Sequence, residues 1–349
     1  MTHLSRRDFL KLSASTLTGL AFFPFLPDLG IFDVTEQVRV ATSSVSVFSA
    51  PNDQSLIVGQ WFRDELVNIY DEVNSGTPTY NPIWYRVWGG YMHRARLQKV
   101  KVLFNEPLTT ILEGTRQLSE LTVPYTQAMR YTKTYGWQPN LRLYYGSVHW
   151  IDGIDEGPDG LPWYRIFDEL VGFPYHMMAI HLRPIPSEEW APITPDVPLE
   201  DKRIEVNLST QVLTAYEYDQ IVFQTNISSG IPAGRPRPNV ISTKTPSGEF
   251  RIFEKYPSKH MGNGNLFADI DDYELPGVPW TSFFTESGVA FHGTYWHDNF
   301  GTPMSHGCIN MRIKEAKWLF RWVRPLHKPD LVSNSGHGTL VVRLKSNST

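Results

Sequence analysis

One short pattern occurs twice and limits what the first half of the chain can become. Trp84-Tyr85-Arg86-Val87, then Gly90-Tyr91-Met92-His93, then Leu97, returns as Trp163-Tyr164-Arg165-Ile166, then Pro174-Tyr175-His176-Met177, then Leu182. The offset grows from 79 residues (Trp84 to Trp163) to 85 (Leu97 to Leu182), so the second copy holds a few extra residues between shared elements. An internal duplication of this size predicts two small units rather than one large sheet. Around the first copy, Val45-Ser46-Val47-Phe48 and Glu65-Leu66-Val67-Asn68-Ile69-Tyr70 alternate apolar and polar residues, with breaks at Pro51-Asn52-Asp53 and Asn74-Ser75-Gly76. Period-two alternation between turn residues predicts an antiparallel β module over residues 38–100.

The whole chain has 349 residues, enough for two or three domains. With 41% hydrophobic, 13% aromatic and 19% charged residues it can build cores, which excludes a wholly disordered chain. The net charge of -4 shows no cationic excess, so nucleic acid is not an expected partner. A single cysteine, Cys308, excludes internal disulfides and zinc sites built on two or more cysteines. It also excludes a lipoprotein anchor, which needs a cysteine at the mature N-terminus.

Residues 1–30 read as an address rather than a fold. Ser5-Arg6-Arg7-Asp8-Phe9-Leu10-Lys11 precedes an apolar run with Leu12, Leu17, Leu20, Phe22, Phe23 and Leu26. That charged-then-apolar order is the layout of a signal peptide, and the run is short for a membrane span, which takes about 20 apolar residues. The Arg-Arg-x-Phe-Leu-Lys spacing resembles a twin-arginine export signal. The expected location is therefore the periplasm or cell wall. Pro24 and Pro27 close the run without an Ala-x-Ala site, so both cleavage and retention as a membrane anchor stay open, and the membrane is an expected partner only through this segment.

Both copies of the repeated pattern resemble bacterial SH3-like (SH3b) domains, closely over residues 38–100 and more loosely over 101–186. That family often binds cell wall, so Trp84 and Trp163 are either ligand-facing or the shared core of two barrels. Pro184, Pro186, Pro192, Pro195 and Pro198 crowd the next stretch, and residues 187–201 read as a semi-rigid linker. Beyond it, Arg203–Leu208 and Val212–Glu217 flank Ser209-Thr210-Gln211 as a predicted hairpin, and Ile221–Thr225 adds another strand. Ala316, Leu319, Phe320 and Val323 fall at i, i+3, i+4 and i+7 and predict one short helix over 313–323.

The chemistry concentrates in Phe291-His292-Gly293-Thr294 and Ser305-His306-Gly307-Cys308-Ile309-Asn310. A cysteine reacts as thiolate, and a free thiol titrates near 8.5, so catalysis needs a neighbouring base. His306 is two residues from Cys308, on the same face if the segment is extended. His292 is 16 residues upstream, far enough to sit beside Cys308 across a hairpin or sheet. Gly293 and Gly307 leave bare backbone that can orient an imidazole or donate to an oxyanion. Read alone, a cysteine is more often an inert buried hydrophobe. A metal held by His292, His297, His306 and Cys308 lacks acidic second-shell partners or His-x-x-x-His spacing, so neither a metal nor a cofactor is expected.

From residue 202 to 345 the sequence resembles the L,D-transpeptidase (YkuD-type) catalytic domain, whose signature is a histidine followed by Ser/Thr-His-Gly-Cys-hydrophobic-Asn. Ser229-Gly230, Thr245-Pro246-Ser247-Gly248-Glu249-Phe250, Pro276-Gly277-Val278-Pro279-Trp280 and His292-Gly293-Thr294-Tyr295-Trp296 add to the match. The resemblance implies a mainly β chain: two small SH3-like barrels, then a β-rich sandwich with one helix after Cys308. It implies a peptidoglycan L,D-transpeptidase acting on stem peptides through a cysteinyl thioester, with Cys308 as nucleophile, His292 as base oriented by the Gly293 carbonyl, and His306 assisting. Backbone N–H groups at His306, Gly307 and Cys308 are the implied oxyanion donors. Ser305, Asn310, Arg312, Tyr295 and Trp296 are candidates for substrate contact, as are Tyr273 and Trp280, and carbapenem-type β-lactams are implied inhibitors. Arg312-Ile313 departs from the Ser-Pro pair common in the family and leaves Asn310 as the expected helix cap. Three other functions compete: an L,D-carboxypeptidase, a non-catalytic wall-binding protein and a stem-peptide endopeptidase. The last is disfavoured because papain-like enzymes place the cysteine before the histidine.

Overall fold

The structure is a computed structural model that describes residues 36–231, 243–262 and 274–345, the last four of these as backbone only. The expected export signal and Tyr273 lie outside the described residues. No helix among the described residues is long and apolar enough to cross a membrane.

The first module contains β1 (Gln37–Val40), β2 (Ser44–Phe48), β3 (Ile57–Phe62), β4 (Leu66–Asn68), β5 (Asp71–Asn74), β6 (Ile83–Val87), β7 (Gly90–His93) and β8 (Leu97–Val100). They form a three-stranded sheet, β4-β1-β8, and a five-stranded one, β3-β2-β7-β6-β5. Alternating Val38, Val40, Val47, Val67, Val87 and Leu97 close over Tyr85 and Met92 as their core. The second module contains β9 (Gln117–Leu121), β10 (Tyr125–Thr132), β11 (Gly136–Tyr144), β12 (Val148–Glu156), β13 (Pro162–Phe167), β14 (Tyr175–Met178) and β15 (Leu182–Pro184) in one seven-stranded sheet.

The repeated pattern takes equivalent places in both modules. Trp84-Tyr85 lies in β6 and Trp163-Tyr164 in β13, each strand pairing with the next, and a single 3-10 turn (Arg94–Arg96 or Ala179–His181) leads into the strand that starts at Leu97 or Leu182. Both indoles are buried and donate within their own module, Trp84 to Thr77 O at 3.2 Å and Trp163 to Asp159 Oδ1 at 2.8 Å. They are therefore core and not ligand platforms. The extra length of the second copy goes into loops, as in the Asp168–Pro174 connection before β14.

The proline-rich stretch is not a free spacer. Ser187–Trp190 forms a 3-10 turn that buries Trp190 against Trp150, Trp280 and His327, and Ile193 N donates to Arg321 O. Prolines keep this stretch out of any ladder, but a tryptophan with apolar neighbours on both sides docks it.

The remaining elements are β16 (Lys202–Asn207), β17 (Val212–Glu217), β18 (Gln220–Asn226), β19 (Phe250–Arg251), β20 (Glu254–Met261), β21 (Leu275–Phe283), β22 (Ala290–Gly293), β23 (Ile309–Met311), α1 (Ile313–Trp322), β24 (Asn334–Ser335) and β25 (Leu340–Lys345). Two five-stranded sheets result, β18-β17-β16-β25-β19 and β23-β22-β21-β20-β24. Helix α1 presents Ala316, Leu319, Phe320 and Trp322 to the core and packs on β21 and β22. Its first residue is preceded by Arg312, which makes no side-chain cap, so Asn310 does not cap the helix. This core is continuous with Leu118, Val148, Trp150 and Ile185 of the second module. Where β21 passes that module, Gly277 adopts φ +72°, and a Cβ there would meet His149 Cε1 at 2.3 Å. Only glycine satisfies both constraints.

Candidate active site

His292 and Cys308 come together through parallel pairing. Strands β22 and β23 align Phe291 with Ile309, His292 with Asn310 and Gly293 with Met311. A hairpin was one expectation; instead the connection from Thr294 to Cys308 crosses over, which its length permits. Because paired residues share a face, His292 and Asn310 point to the same side of the sheet, and Cys308 lies in the bend just before β23.

His292 is fully buried, and its ring is oriented by Nδ1–H donating to Gly293 O at 3.0 Å. That leaves Nε2 as the lone-pair nitrogen, and Nε2 is buried with no hydrogen-bond partner among the described residues. An unmet buried acceptor costs about 1–3 kcal/mol and is retained where it has work to do. Burial pulls the imidazole down to about 4, partly offset by Gly293 O, so the ring is neutral at physiological pH. Cys308 is partly exposed, and burial of its thiol pushes it up to about 11. Its Sγ donates weakly to Gly288 O at 3.7 Å and makes no hydrogen bond to His292 in this state. Gly288 closes the β21–β22 turn at φ +89°, donating to Thr285 O. The resting pair is thus a neutral thiol and a neutral imidazole with a vacant lone pair, suited to take the thiol proton as the sulfur attacks rather than before.

The segment before Cys308 is a bend and not a strand, with Gly307 at φ +130°. This overturns the same-face argument for His306, whose side chain is exposed while Gly307 is buried. Ser305 is buried and braces the bend: its Oγ accepts from Gly307 N at 3.1 Å and donates to Cys308 O. Gly307 N–H is therefore committed to Ser305 in this state and does not face an oxyanion, and Ser305 positions the bend rather than presenting a hydroxyl to substrate. Asn310 is also buried, its amide 2.8 Å from His297 Nε2. That contact is made by Asn310 Nδ2, leaving Asn310 Oδ1 buried without a hydrogen-bond partner among the described residues, and His297 Nδ1 accepts from Asn299 N at 3.2 Å. Arg312 is half-exposed, close to Glu315 and Asp298 and over the Phe300 ring.

Of the aromatic candidates, Trp296 stays half-buried with its ring 5.7 Å from that of His292. Tyr295 is buried, donating to Pro276 O at 3.1 Å and receiving Arg39 through its carbonyl. Trp280 is core. Trp296 alone of these three is partly exposed and has its ring against the base.

The sequence reading assigned no role to the residues that hold the bend from behind. Thr245, buried, accepts from Gly230 N at 2.8 Å and donates to Gly307 O at 2.7 Å. Gly230 bridges Ser305, and a Cβ on it would meet Thr243 O at 2.0 Å and Gly307 Cα at 2.9 Å. Gln211 clamps Ser229, donating to its Oγ and accepting its N–H, both at 2.8 Å. The Ser-Gly and Thr-Pro-Ser-Gly pieces were visible as motifs, but their convergence on Gly307 spans 62 residues of chain.

Several solved structures are similar to this chain. The L,D-transpeptidase of Enterococcus faecium, as a cysteine-to-serine mutant, is 27% identical over 41% of this chain and 50% of its own, with TM-score 0.30. That of Xylanimonas cellulosilytica is 24% identical over 46% and 63%, TM-score 0.29. That of Mycobacterium smegmatis is 17% identical over 71% and 91%, TM-score 0.30. The chain thus spans about half the length of the enterococcal structure it matches. No curated protein matches it. A family model does match, and it assigns residues 201–342 to the YkuD L,D-transpeptidase catalytic domain.

Proposed function

We propose that this chain is an exported peptidoglycan L,D-transpeptidase. The observation that carries the reading is His292 Nε2, a buried and unpartnered base on a strand paired with the one that directly follows the chain's one thiol, inside the matched catalytic domain. Cys308 Sγ attacks the carbonyl after the third residue of a tetrapeptide stem while its proton passes to His292. The C–N bond to the terminal D-alanine breaks, the amine leaves with that proton, and a thioester remains. An amine of a second stem then attacks the thioester, gives its proton to His292 and restores the thiol, leaving a cross-link between two third-position diamino acids. Water in place of the amine gives a trimmed tripeptide, the L,D-carboxypeptidase outcome.

The two repeated modules are read as SH3-like, supported by the matched strands and the 3-10 turn before Leu97 and Leu182. The Arg6-Arg7 segment is read as a twin-arginine signal that delivers the chain to the periplasm or wall, supported by its charge and apolar order.

Muropeptide analysis after incubating the full chain with defined tetrapeptide stems tests the reading: cross-linked dimers are expected. Trimmed tripeptides alone would move the assignment to the carboxypeptidase, and unchanged stems would sink both. Imipenem is bound in the solved structure of one L,D-transpeptidase, so a carbapenem is the matching probe. A covalent adduct is expected by mass spectrometry with the wild-type chain and none with Cys308→Ala.

A further inference from the structure

The connection from Thr294 to Cys308 is held from outside the catalytic domain. Asn81, between β5 and β6 of the first module, is 0% exposed, and its amide protons leave the module: Nδ2 donates to Asp298 O and to Asn299 Oδ1, each at 2.9 Å. The rest of Asn81 is fixed at home. Its Oδ1 accepts from Arg94 Nε, its N–H donates to Pro78 O at 3.0 Å, and its carbonyl lies 2.7 Å from His93 Nε2. An amide with donors and acceptor all engaged has one orientation, so the place of the first module is transmitted to the crossover. Beside it, Asp298 N donates to Ala95 O at 3.0 Å, and a Cβ on Gly301 would lie 3.1 Å from Tyr80 O.

The crossover passes that place on to the site. Asn299 N donates to His297 Nδ1 at 3.2 Å, and His297 Nε2 lies 2.8 Å from Asn310 Nδ2, the one hydrogen bond of the Asn310 side chain among the described residues. Ser228 closes a second route: its Oγ donates to Asn299 O at 2.8 Å, while its backbone exchanges hydrogen bonds with that of Asn310 at 2.9 and 2.8 Å. Asn310 is the register partner of His292, and Cys308 stands two residues before it. His297, Asn299 and Asn310 are all buried, so a link broken among them leaves a polar group unpaired instead of hydrated.

We propose that Asn81 is a positioning residue for the catalytic site: by holding Asp298 and Asn299 it sets His297, and through His297 the Asn310 amide beside the base, for the attack by Cys308. The first module is then part of what makes acylation fast and not only an attachment to the catalytic domain. The inference rests on the transpeptidase reading and adds to it a residue from outside the matched domain.

The test is acylation of the full chain by imipenem, with the saturating rate and the half-saturating concentration measured separately at a temperature where calorimetry shows each variant folded. Asn81→Ala removes both N–H donors to the crossover. Misplacements of about 1 Å can cost about 100-fold, so the saturating rate should fall by about 10-fold or more while the half-saturating concentration stays within about two-fold. Asn81→Ser, too short to reach the crossover but able to meet Arg94, should behave the same way and is read in its place if alanine does not fold. Val47→Ala, in the core of the same module beside Gly59 and Gly90, should lower the melting temperature and leave the saturating rate unchanged. A double-mutant cycle with His297→Gln separates a relay from general loosening. If Asn81 acts through His297, the pair of changes slows acylation no more than the worse single change, to within about two-fold, whereas independent effects multiply. Multiplied losses would overturn the inference, as would a wild-type saturating rate in the Asn81 variant or an equal fall in Val47→Ala. A wild-type chain that forms no adduct would instead defeat the transpeptidase reading itself, and the inference with it.

Discussion

Thr245→Val removes one oxygen and changes little else, yet it strikes the bend that carries the thiol. The hydroxyl of Thr245 takes the Gly230 N–H at 2.8 Å and gives its proton to Gly307 O at 2.7 Å, in a site with 1% exposure. Valine fills the same volume but leaves a buried donor and a buried acceptor unpaired, each costing about 1–3 kcal/mol. A methyl also cannot sit 2.7 Å from a carbonyl oxygen, so Gly307 must move. The combined penalty is about 2–5 kcal/mol, against a typical stability of about 5–15 kcal/mol. With a urea slope of about 1–3 kcal/mol per molar, the midpoint should fall by about 1 M or more. Thr245→Ser keeps both hydrogen bonds, and its lost methyl costs about 1 kcal/mol. The second readout is the rate of Cys308 acylation by a carbapenem, measured where both variants are fully folded. Displacing Gly307 shifts its neighbour Cys308, and misplacements of about 1 Å can cost about 100-fold in rate. Valine should therefore lower the rate by about 10-fold or more while serine stays near wild type. If valine unfolds at the serine midpoint and is acylated at the wild-type rate, the clamp has been misread.

Gly230→Ala should be worse than Thr245→Val, because its Cβ would lie 2.0 Å from Thr243 O; normal carbapenem labelling of that variant would contradict the packing. Trp190→Ala should cost about 3–5 kcal/mol and separate the unfolding of the second module from that of the catalytic domain, seen as two calorimetric transitions instead of one. Acid should destabilise the fold through histidines buried in neutral form. His149, His292 and His327 are each held at about 4 by burial, below the ordinary 6.5, so each contributes stability fully present above pH 6.5 and lost as pH falls toward 4, up to about 3 kcal/mol apiece. A urea midpoint that stays flat from pH 7 to pH 4 would refute this. His260 has the opposite sign: Asp168 and Glu274, at 2.8 and 2.7 Å, raise it against the pull of burial. Its contribution is full below about 6.5 and is lost as pH rises through the folded value, so His260→Gln should lower the urea midpoint most below about pH 6.5 and flatten the fall at higher pH; an equal loss at every pH would refute it.

Local periodicity carried what the sequence could show. The apolar face of α1 repeats every three to four residues, and the strands at Arg203–Leu208 and Val212–Glu217 announce themselves by alternation. The repeated Trp-Tyr pattern was legible for the same reason, being read within 14 residues in one copy and 20 in the other. Parallel pairing of β22 with β23 was not, because nothing in His292 or Cys308 tells a hairpin from a crossover. His306 was misjudged by treating its segment as extended, when Gly307 bends it and Ser305 locks the bend. Proline density pointed to extended backbone over 187–201 and concealed both its two 3-10 turns and the docking of Trp190, since burial depends on what the indole finds and not on its neighbours in sequence.

Arg39 of the first module is buried, with hydrogen bonds to Asp64, to Gln98 and to Tyr295 O in the catalytic domain. Asp64 also takes Arg142 of the second module, and Gln98 donates to Tyr145 O there. All three modules therefore meet at one guanidinium that is out of water. Swinging any module aside would strand that charge, at a cost of several kcal/mol. The catalytic domain is thus not a cassette to be cut free or exchanged between chains. Cys308 therefore keeps a fixed place relative to the first two modules, and whatever those modules touch sets where the thiol works.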